Sequence, residues 1–150
     1  MTAQTSNVSI ERVKALFDKE GWKYESAEQG PAIRSGFSGI GLEINVIEPN
    51  LNVVTTLATE SVKAERFDEV LDWVEQYNFD KAYPTVSAIK DEKRDVTALS
   101  AAYAVPGYWE YTDDQFAAQV RTGIQGVVVA SRDFLAQFAP DVVQKINERA

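Results

Sequence analysis

Residues 36–46 read Gly-Phe-Ser-Gly-Ile-Gly-Leu-Glu-Ile-Asn-Val, and this stretch decides the fold class. Its first six residues contain three glycines, and glycine-rich loops of this kind can cradle a phosphate. Such a loop needs a helix after it, because the N–H groups at a helix N-terminus hold the anion. Here residues 42–46 alternate apolar and polar, which is typical of a half-buried strand. The order G-x-x-G-x-G also differs from the dinucleotide-binding G-x-G-x-x-G. We therefore predict a β-hairpin turn at Ser38-Gly39.

Strand patterns lie on both sides of this turn and again later in the chain. Runs of β-branched and aromatic residues separated by turn residues indicate antiparallel hairpins. The turns are predicted at 28–31, 48–50 and the charged segment 91–95. The predicted strands cover residues 22–24, 32–37, 42–46, 51–58, 83–90 and 96–105.

Helical spacing of apolar residues predicts three main helices and a short terminal one. The first begins at a Ser9 cap and stops at Gly21. The second covers residues 63–77, with Asn78 at its end. A capping box starting at Thr112 opens a long third helix that runs to Phe138, and residues 141–149 form a last short helix. The third contains two internal glycines, which predict close packing or a kink.

The predicted order of elements is α, three to four β, α, β, β, α. This order is typical of an α+β protein in which helices cover one face of an antiparallel sheet. Because no linker or repeat divides the 150 residues, we expect one domain over 1–150, with residues 1–8 and 140–150 at its periphery.

Composition narrows the chemistry open to this chain. The sequence contains no cysteine and no histidine, which removes thiolate catalysis, the commonest general base and the commonest zinc ligands. We therefore expect no enzymatic activity, no catalytic residues, no metal and no cofactor. The net charge of −8 disfavours nucleic acid as a partner, since phosphate binding requires clustered Lys and Arg.

The sequence lacks two further features, and their absence predicts where in the cell the protein is found. No run of about 18 apolar residues occurs, so we expect no membrane partner. The first residues lack the basic and apolar regions of a secretory signal, so we expect a cytoplasmic protein.

Aromatic residues cluster just before the long helix: Tyr103, Tyr108, Trp109 and Tyr111. Trp and Tyr dominate binding hot spots, so Tyr108, Trp109 and Tyr111 are candidates for binding a protein partner. The same residues could instead pack on the core, and we favour core packing because aromatic side chains bury much area in small domains.

Three arginines complete the candidate site. Arg121 and Arg132 lie off the apolar stripe of the long helix and could contact an acidic partner, although a solvated helix face is the favoured interpretation. Arg34 lies within a strand, where it is either an edge-strand charge that opposes aggregation or a groove residue. The paired acids Asp113 and Asp114 are explained by their place in the first helical turn, where negative charge is stabilising.

The segment ERFDEVLDWVEQYNFDKAYPTVSAIKDEKRDVTALSAAYAV, residues 65–105, resembles the YbjN family, whose members are proposed to be bacterial sensory transduction regulators. Residues 22–24, 33–39, 51–53 and the long helix also fit, so the resemblance spans about residues 8–138. Asp80 departs from the family pattern, which normally has Arg or Trp before the Lys at 81. The resemblance implies a fold similar to that of type III secretion chaperones, which are often dimeric and bind extended segments of partner proteins.

The sequence therefore favours a protein-binding module of chaperone-like or regulatory type, with an unidentified protein partner. Two alternatives remain open at this point. One is a small-ligand-binding domain, suggested by the aromatic loop. The other is a structural homodimer formed through the sheet edge or the long helix.

Overall fold

The computed structural model describes residues 4–149. Its strands are β1 Glu25–Ser26, β2 Ala32–Phe37, β3 Ile40–Ile47, β4 Asn50–Leu57, β5 Thr85–Asp91 and β6 Val96–Val105. Its helices are α1 Ile10–Glu20, α2 Phe67–Asp80, α3 Asp113–Phe138 and α4 Pro140–Glu148, with a 3₁₀ turn Ala64–Arg66 before α2. The strands form one antiparallel sheet in the order β1-β2-β3-β4-β6-β5.

One face of this sheet is buried beneath the helices. Along β4, Leu51, Val53 and Thr55 are buried, whereas the alternating Val54 is half-buried and Thr56 is exposed. Helix α1 packs on β2 and β3, α2 on β5, and α3 on β3, β4 and β6. The predicted α+β fold, with helices on one face of an antiparallel sheet, is confirmed.

The glycine-rich segment is a two-residue hairpin turn, as predicted. Phe37 pairs with Ile40, and the two residues between them, Ser38 and Gly39, have φ values of 52° and 81°. Positive φ at both central residues matches the twist of an antiparallel hairpin. Gly39 also lies against Ile146 of α4, where a Cβ atom would collide with the isoleucine side chain. The turn therefore shapes the sheet and seats the last helix.

The predicted helix caps are present. The Ser9 side chain accepts a hydrogen bond from the Arg12 N–H, and Gly21 ends α1 in the left-handed region with φ 73°. At α3, Thr112 and Gln115 form both hydrogen bonds of the capping box. These caps satisfy helix-end groups that would otherwise lack partners.

The prediction of a strand at residues 22–24 was wrong. The only backbone ladder in this region is the two-residue β1. The Lys23 carbonyl instead accepts a hydrogen bond from the Ser35 hydroxyl at 2.7 Å. Trp22 and Tyr24 pack edge-on against Phe17, with ring centroids 5.2 and 5.7 Å away. The aromatic pattern thus reflects a side-chain cluster and not a strand.

The end of α2 also differs from the prediction, because the helix continues past Asn78 to Asp80. The Asn78 side chain does not cap α2. It donates to the Val86 carbonyl at 2.8 Å and accepts from the Val86 N–H at 2.9 Å. Since β5 is an edge strand, Asn78 occupies backbone groups that a neighbouring strand would use.

The segment before α1 is held in place, although we expected residues 1–8 to be peripheral. Ser6 and Tyr111 exchange two backbone hydrogen bonds, of 3.1 and 2.8 Å. Val8 is half-buried and packs on the core. Residues 1–3 lie outside the described part of the chain. Within residues 4–149, no helix combines the length and apolar character needed to cross a membrane.

Candidate functional site

The loop between β6 and α3 lies against the turn between β3 and β4. A Cβ atom added at Gly107 would overlap the carbonyl group of Pro49, so only glycine allows this approach. The Gly107 N–H donates to the Asn50 side-chain oxygen at 3.1 Å. The start of the loop is therefore fixed to the neighbouring turn.

Tyr111 fixes the other end of the loop. Its hydroxyl donates to the Pro106 carbonyl at 2.7 Å, and its backbone pairs with Ser6. Arg12 donates to the Tyr111 carbonyl at 3.1 Å and to Asp113 at 3.0 Å. Tyr111 is half-buried, and this burial raises its pKa. Tyr111 is thus an anchor of the loop rather than a contact surface.

Between these anchors, two aromatic side chains are exposed. Tyr108 is 80% exposed and Trp109 is 63% exposed. Ile47, at the adjoining β3–β4 turn, is 67% exposed. We call these three residues the loop patch. The sequence-based preference for core packing is wrong for Tyr108 and Trp109, because the restraints on both sides hold them on the surface.

The surroundings of the loop patch are acidic. The two segments that form it, residues 41–52 and 104–114, contain no Lys or Arg and five acids. Glu43 pairs with Arg34 and Asp113 with Arg12, and the other three acids are Glu48, Glu110 and Asp114. Arg12, which binds the loop, has a side chain only 15% exposed and is paired with Asp113. The loop patch therefore combines apolar side chains with negative charge.

The arginines predicted as partner-binding residues lie apart from the loop patch. Arg121 forms an ion pair with Glu20 and lies over the Trp22 ring, 5.9 Å from its centroid. Arg132 donates to the Ser38 carbonyl at 2.7 Å and to the Asn147 side chain at 2.8 Å. Both have partners within the chain, so they tie α3 to α1, to the β2–β3 turn and to α4.

Arg34 is exposed on the helix-free face of the sheet. It lies opposite Glu43, 3.8 Å away, and β1 places Glu25 on its other side. Because β1 covers β2 at this point, the edge-strand interpretation of Arg34 is wrong. Arg34 instead borders an open groove of about 720 Å³, where the Tyr24 hydroxyl donates to Asp18 at 3.0 Å. This hydrogen bond is the largest cause of the raised pKa of Tyr24.

Of the predicted site residues, the structure brings together Tyr108, Trp109 and their anchor Tyr111. Sequence reasoning missed Ile47. A signal for it existed, since Leu42, Ile44 and Val46 occupy the inward positions of β3 and the next apolar residue breaks that alternation. Among residues 4–149, no group of three or more acidic side chains is placed to hold a metal ion.

Comparison with known proteins identifies the fold. One solved structure that matches is described as the crystal structure of "YbjN, a putative transcription regulator from E. coli", with a TM-score of 0.65. The match covers 81% of this chain and 88% of that chain. The fold is YbjN-like. Sequence identity is 15%, so the likeness concerns the fold alone. No protein-family model matches the chain, and no curated protein matches it.

Proposed function

We propose that this YbjN-like chain is a non-enzymatic protein-binding module, chaperone-like or regulatory, that docks a partner protein on the loop patch. The observation that carries the proposal is an exposed Tyr108-Trp109 pair on a loop restrained on both sides. A restrained aromatic pair loses little conformational entropy on binding, which is the property of a hot spot. The absence of cysteine and histidine from the sequence supports a binding role over a catalytic one.

Charge indicates the chemistry of the partner. The acids around the loop patch attract a segment that carries Lys or Arg beside an apolar side chain. The net charge of −8 favours action through such a protein over direct contact with nucleic acid. A regulatory role, membership of the YbjN family and a cytoplasmic location are part of this proposal. The description of the structural neighbour as a regulator supports the first of them.

Partner capture from native cell extract tests the proposal. The full chain, the variant Tyr108→Ala/Trp109→Ala and the control Ile89→Ala are immobilised at equal density. Ile89 is 42% exposed but lies on β5, away from the loop patch. We expect a near-stoichiometric partner on the wild type and the control. Loss of one hot-spot aromatic side chain costs about 2 kcal/mol, which is roughly 30-fold in binding, so the double variant should bind that partner at least this much more weakly.

Two results would contradict this assignment. Equal binding of the recovered partner to the double variant and the wild type would remove the loop patch from the interface. If extract yields no partner while a metabolite raises the melting temperature of the wild type and not of the double variant, the loop patch binds a small ligand instead.

A further inference from the structure

An open groove of about 600 Å³ lies where the last turn of α4 meets the β2–β3 turn. It is lined by Ser38, Gly39, Arg132, Ile146, Asn147 and Arg149. We call it the arginine groove, because both of its charged side chains are arginines. Among the residues that the structure describes, no acidic residue lines it. The groove is therefore positively charged, although the net charge of the whole chain is −8.

Arg132 is fixed in the wall of the arginine groove. Its guanidinium donates to the Ser38 carbonyl at 2.7 Å and to the Asn147 side-chain oxygen at 2.8 Å. A guanidinium has five N–H groups, so these two hydrogen bonds leave it further donors. The Asn147 side chain directs its oxygen to Arg132 and adds the two N–H donors of its amide. Because Arg132 engages these two acceptors, the groove offers mainly hydrogen-bond donors.

The two arginines of this groove differ from arginines elsewhere in the chain. Ion pairs with a carboxylate are formed by Arg12, Arg34, Arg66 and Arg121. Within residues 4–149, neither Arg132 nor Arg149 has such a partner. One cation is favourable at a helix C-terminus, and this explains Arg149 at the end of α4. Arg132 comes from α3, so the groove holds one positive charge more than the end of α4 requires.

This set of donors matches a phosphate monoester. Such a group carries a charge of about −1.5 to −2 at pH 7 and has three acceptor oxygens, which suits two guanidinium groups with amide and hydroxyl donors beside them. A single carboxylate would neutralise only one of the two guanidinium groups. Ile146 packs partly on the core and gives an organic group an apolar contact. The volume lies within the range of small-molecule sites, about 300–1,000 Å³.

We propose that the arginine groove binds the phosphate group of a small phosphate monoester. Arg132 and Arg149 neutralise its charge, and the organic part lies against the apolar wall of the groove. The Asn147 amide and the Ser38 hydroxyl donate to its oxygens. The inference is independent of the proposed function. Asp113, which follows the loop patch, and Arg132 are 19 residues apart on α3, which corresponds to about 28 Å.

Titration of the isotope-labelled full chain with inorganic phosphate, and then with phenyl phosphate, tests the proposal by NMR at constant ionic strength. We expect saturable shifts of the backbone N–H signals of Ser38, Gly39 and Asn147, with a dissociation constant of about 1 mM or less for inorganic phosphate. Phenyl phosphate should bind at least as tightly, because its ring gains a contact with Ile146. Sodium chloride at equal ionic strength should give no saturable shift of these signals.

Two variants alter the arginine groove and should leave the fold intact. Arg149→Gln removes an exposed cation and should weaken phosphate binding by about fivefold or more. Asn147→Asp places a carboxylate in the groove and keeps an acceptor for Arg132, so phosphate binding should be lost while the melting temperature is retained. Arg94→Gln, in the turn between β5 and β6, is the matched control. Each variant makes the net charge one unit more negative, and Arg94→Gln should bind phosphate like the wild type.

Several results would overturn the proposal. One is the absence of saturable shifts in the arginine groove with either compound. Another is equal weakening by Arg149→Gln and Arg94→Gln, which would show an effect of net charge alone. A third is phosphate binding by Asn147→Asp with the affinity of the wild type. If the chain binds inorganic phosphate and rejects phenyl phosphate, the assignment to a monoester is wrong. The double variant that tests the loop patch should bind phosphate like the wild type, so the two proposals can fail separately.

Discussion

Gly123 and Gly126 lie one turn apart on α3, yet their surroundings differ. A Cβ atom at Gly123 would lie 2.8 Å from both Tyr103 and Val53 on the inner face of the sheet. At Gly126 it would lie 3.1 Å from Tyr83, a side chain that is 48% exposed. Val53 is fully buried and cannot move aside, whereas Tyr83 can. The space around Gly123 is therefore fixed, whereas the space around Gly126 can adjust.

This difference predicts opposite outcomes for the same substitution. Alanine gains about 1 kcal/mol of helix propensity over glycine, while overpacking a core costs about 1–3 kcal/mol. At position 123 the overpacking should prevail, so Gly123→Ala should lower the free energy of unfolding by up to about 2 kcal/mol. Gly126→Ala should leave it unchanged or raise it. Urea denaturation measures both, and equal effects of the two variants would contradict the argument.

The sequence placed both glycines inside a helix and predicted close packing or a kink. It did not indicate what each would contact, because that depends on the register of β4 and β6 beneath α3. The exposure of Trp109 could not be predicted from the sequence for the same reason. Residues 103–111 contain aromatic residues that face inward and others that face outward. The approach of Gly107 to Pro49, which separates them, is a contact between distant parts of the chain.

Among the elements, those with strong local signals were predicted most closely. The hairpin of β2 and β3 and the caps at Ser9 and Thr112 are determined by residues that are close in the sequence, so local patterns predict them. The strand predicted at 22–24 failed because its aromatic residues face a cluster around Phe17 while its backbone finds no ladder partner beyond the short β1. The end of α2 was missed because the Asn78 side chain has a partner in β5, which local patterns do not reveal.

The contact between α2 and β5 leads to a prediction for Asn78. Asn78→Ala removes two hydrogen bonds and leaves the Val86 N–H and C=O without these partners, which should cost about 1–2 kcal/mol of unfolding free energy. Asn78→Asp keeps the acceptor for the N–H but sets a carboxylate against the Val86 carbonyl, so it should be at least as destabilising at pH 7. Chemical denaturation measures both variants. A neutral effect of Asn78→Ala would show that water replaces the amide without cost.

At the scale of the whole molecule, few side chains are available to change charge near neutral pH. Histidine and cysteine are absent, so no side chain of these types titrates near neutrality. The raised pKa values belong to tyrosines on different elements. Burial raises the pKa of Tyr77, Tyr103 and Tyr111, and the hydrogen bond to Asp18 raises that of Tyr24. Folding thus keeps these hydroxyls neutral to a higher pH than in the unfolded chain.

The sign of the resulting pH dependence follows from linkage. Above the ordinary tyrosine pKa of 10.0, the unfolded chain loses these protons while the folded chain retains them, so the free energy of unfolding falls as pH rises. The contribution is fully present below pH 10 and is lost as pH rises through the folded-state values. The test compares the wild type with Tyr103→Phe/Tyr111→Phe, whose stability should fall less steeply between about pH 10 and 12. Thermal unfolding followed by circular dichroism measures the slope, and tyrosinate absorbance should rise together with unfolding. Identical slopes for the two proteins would show that burial of these hydroxyls does not govern stability at alkaline pH.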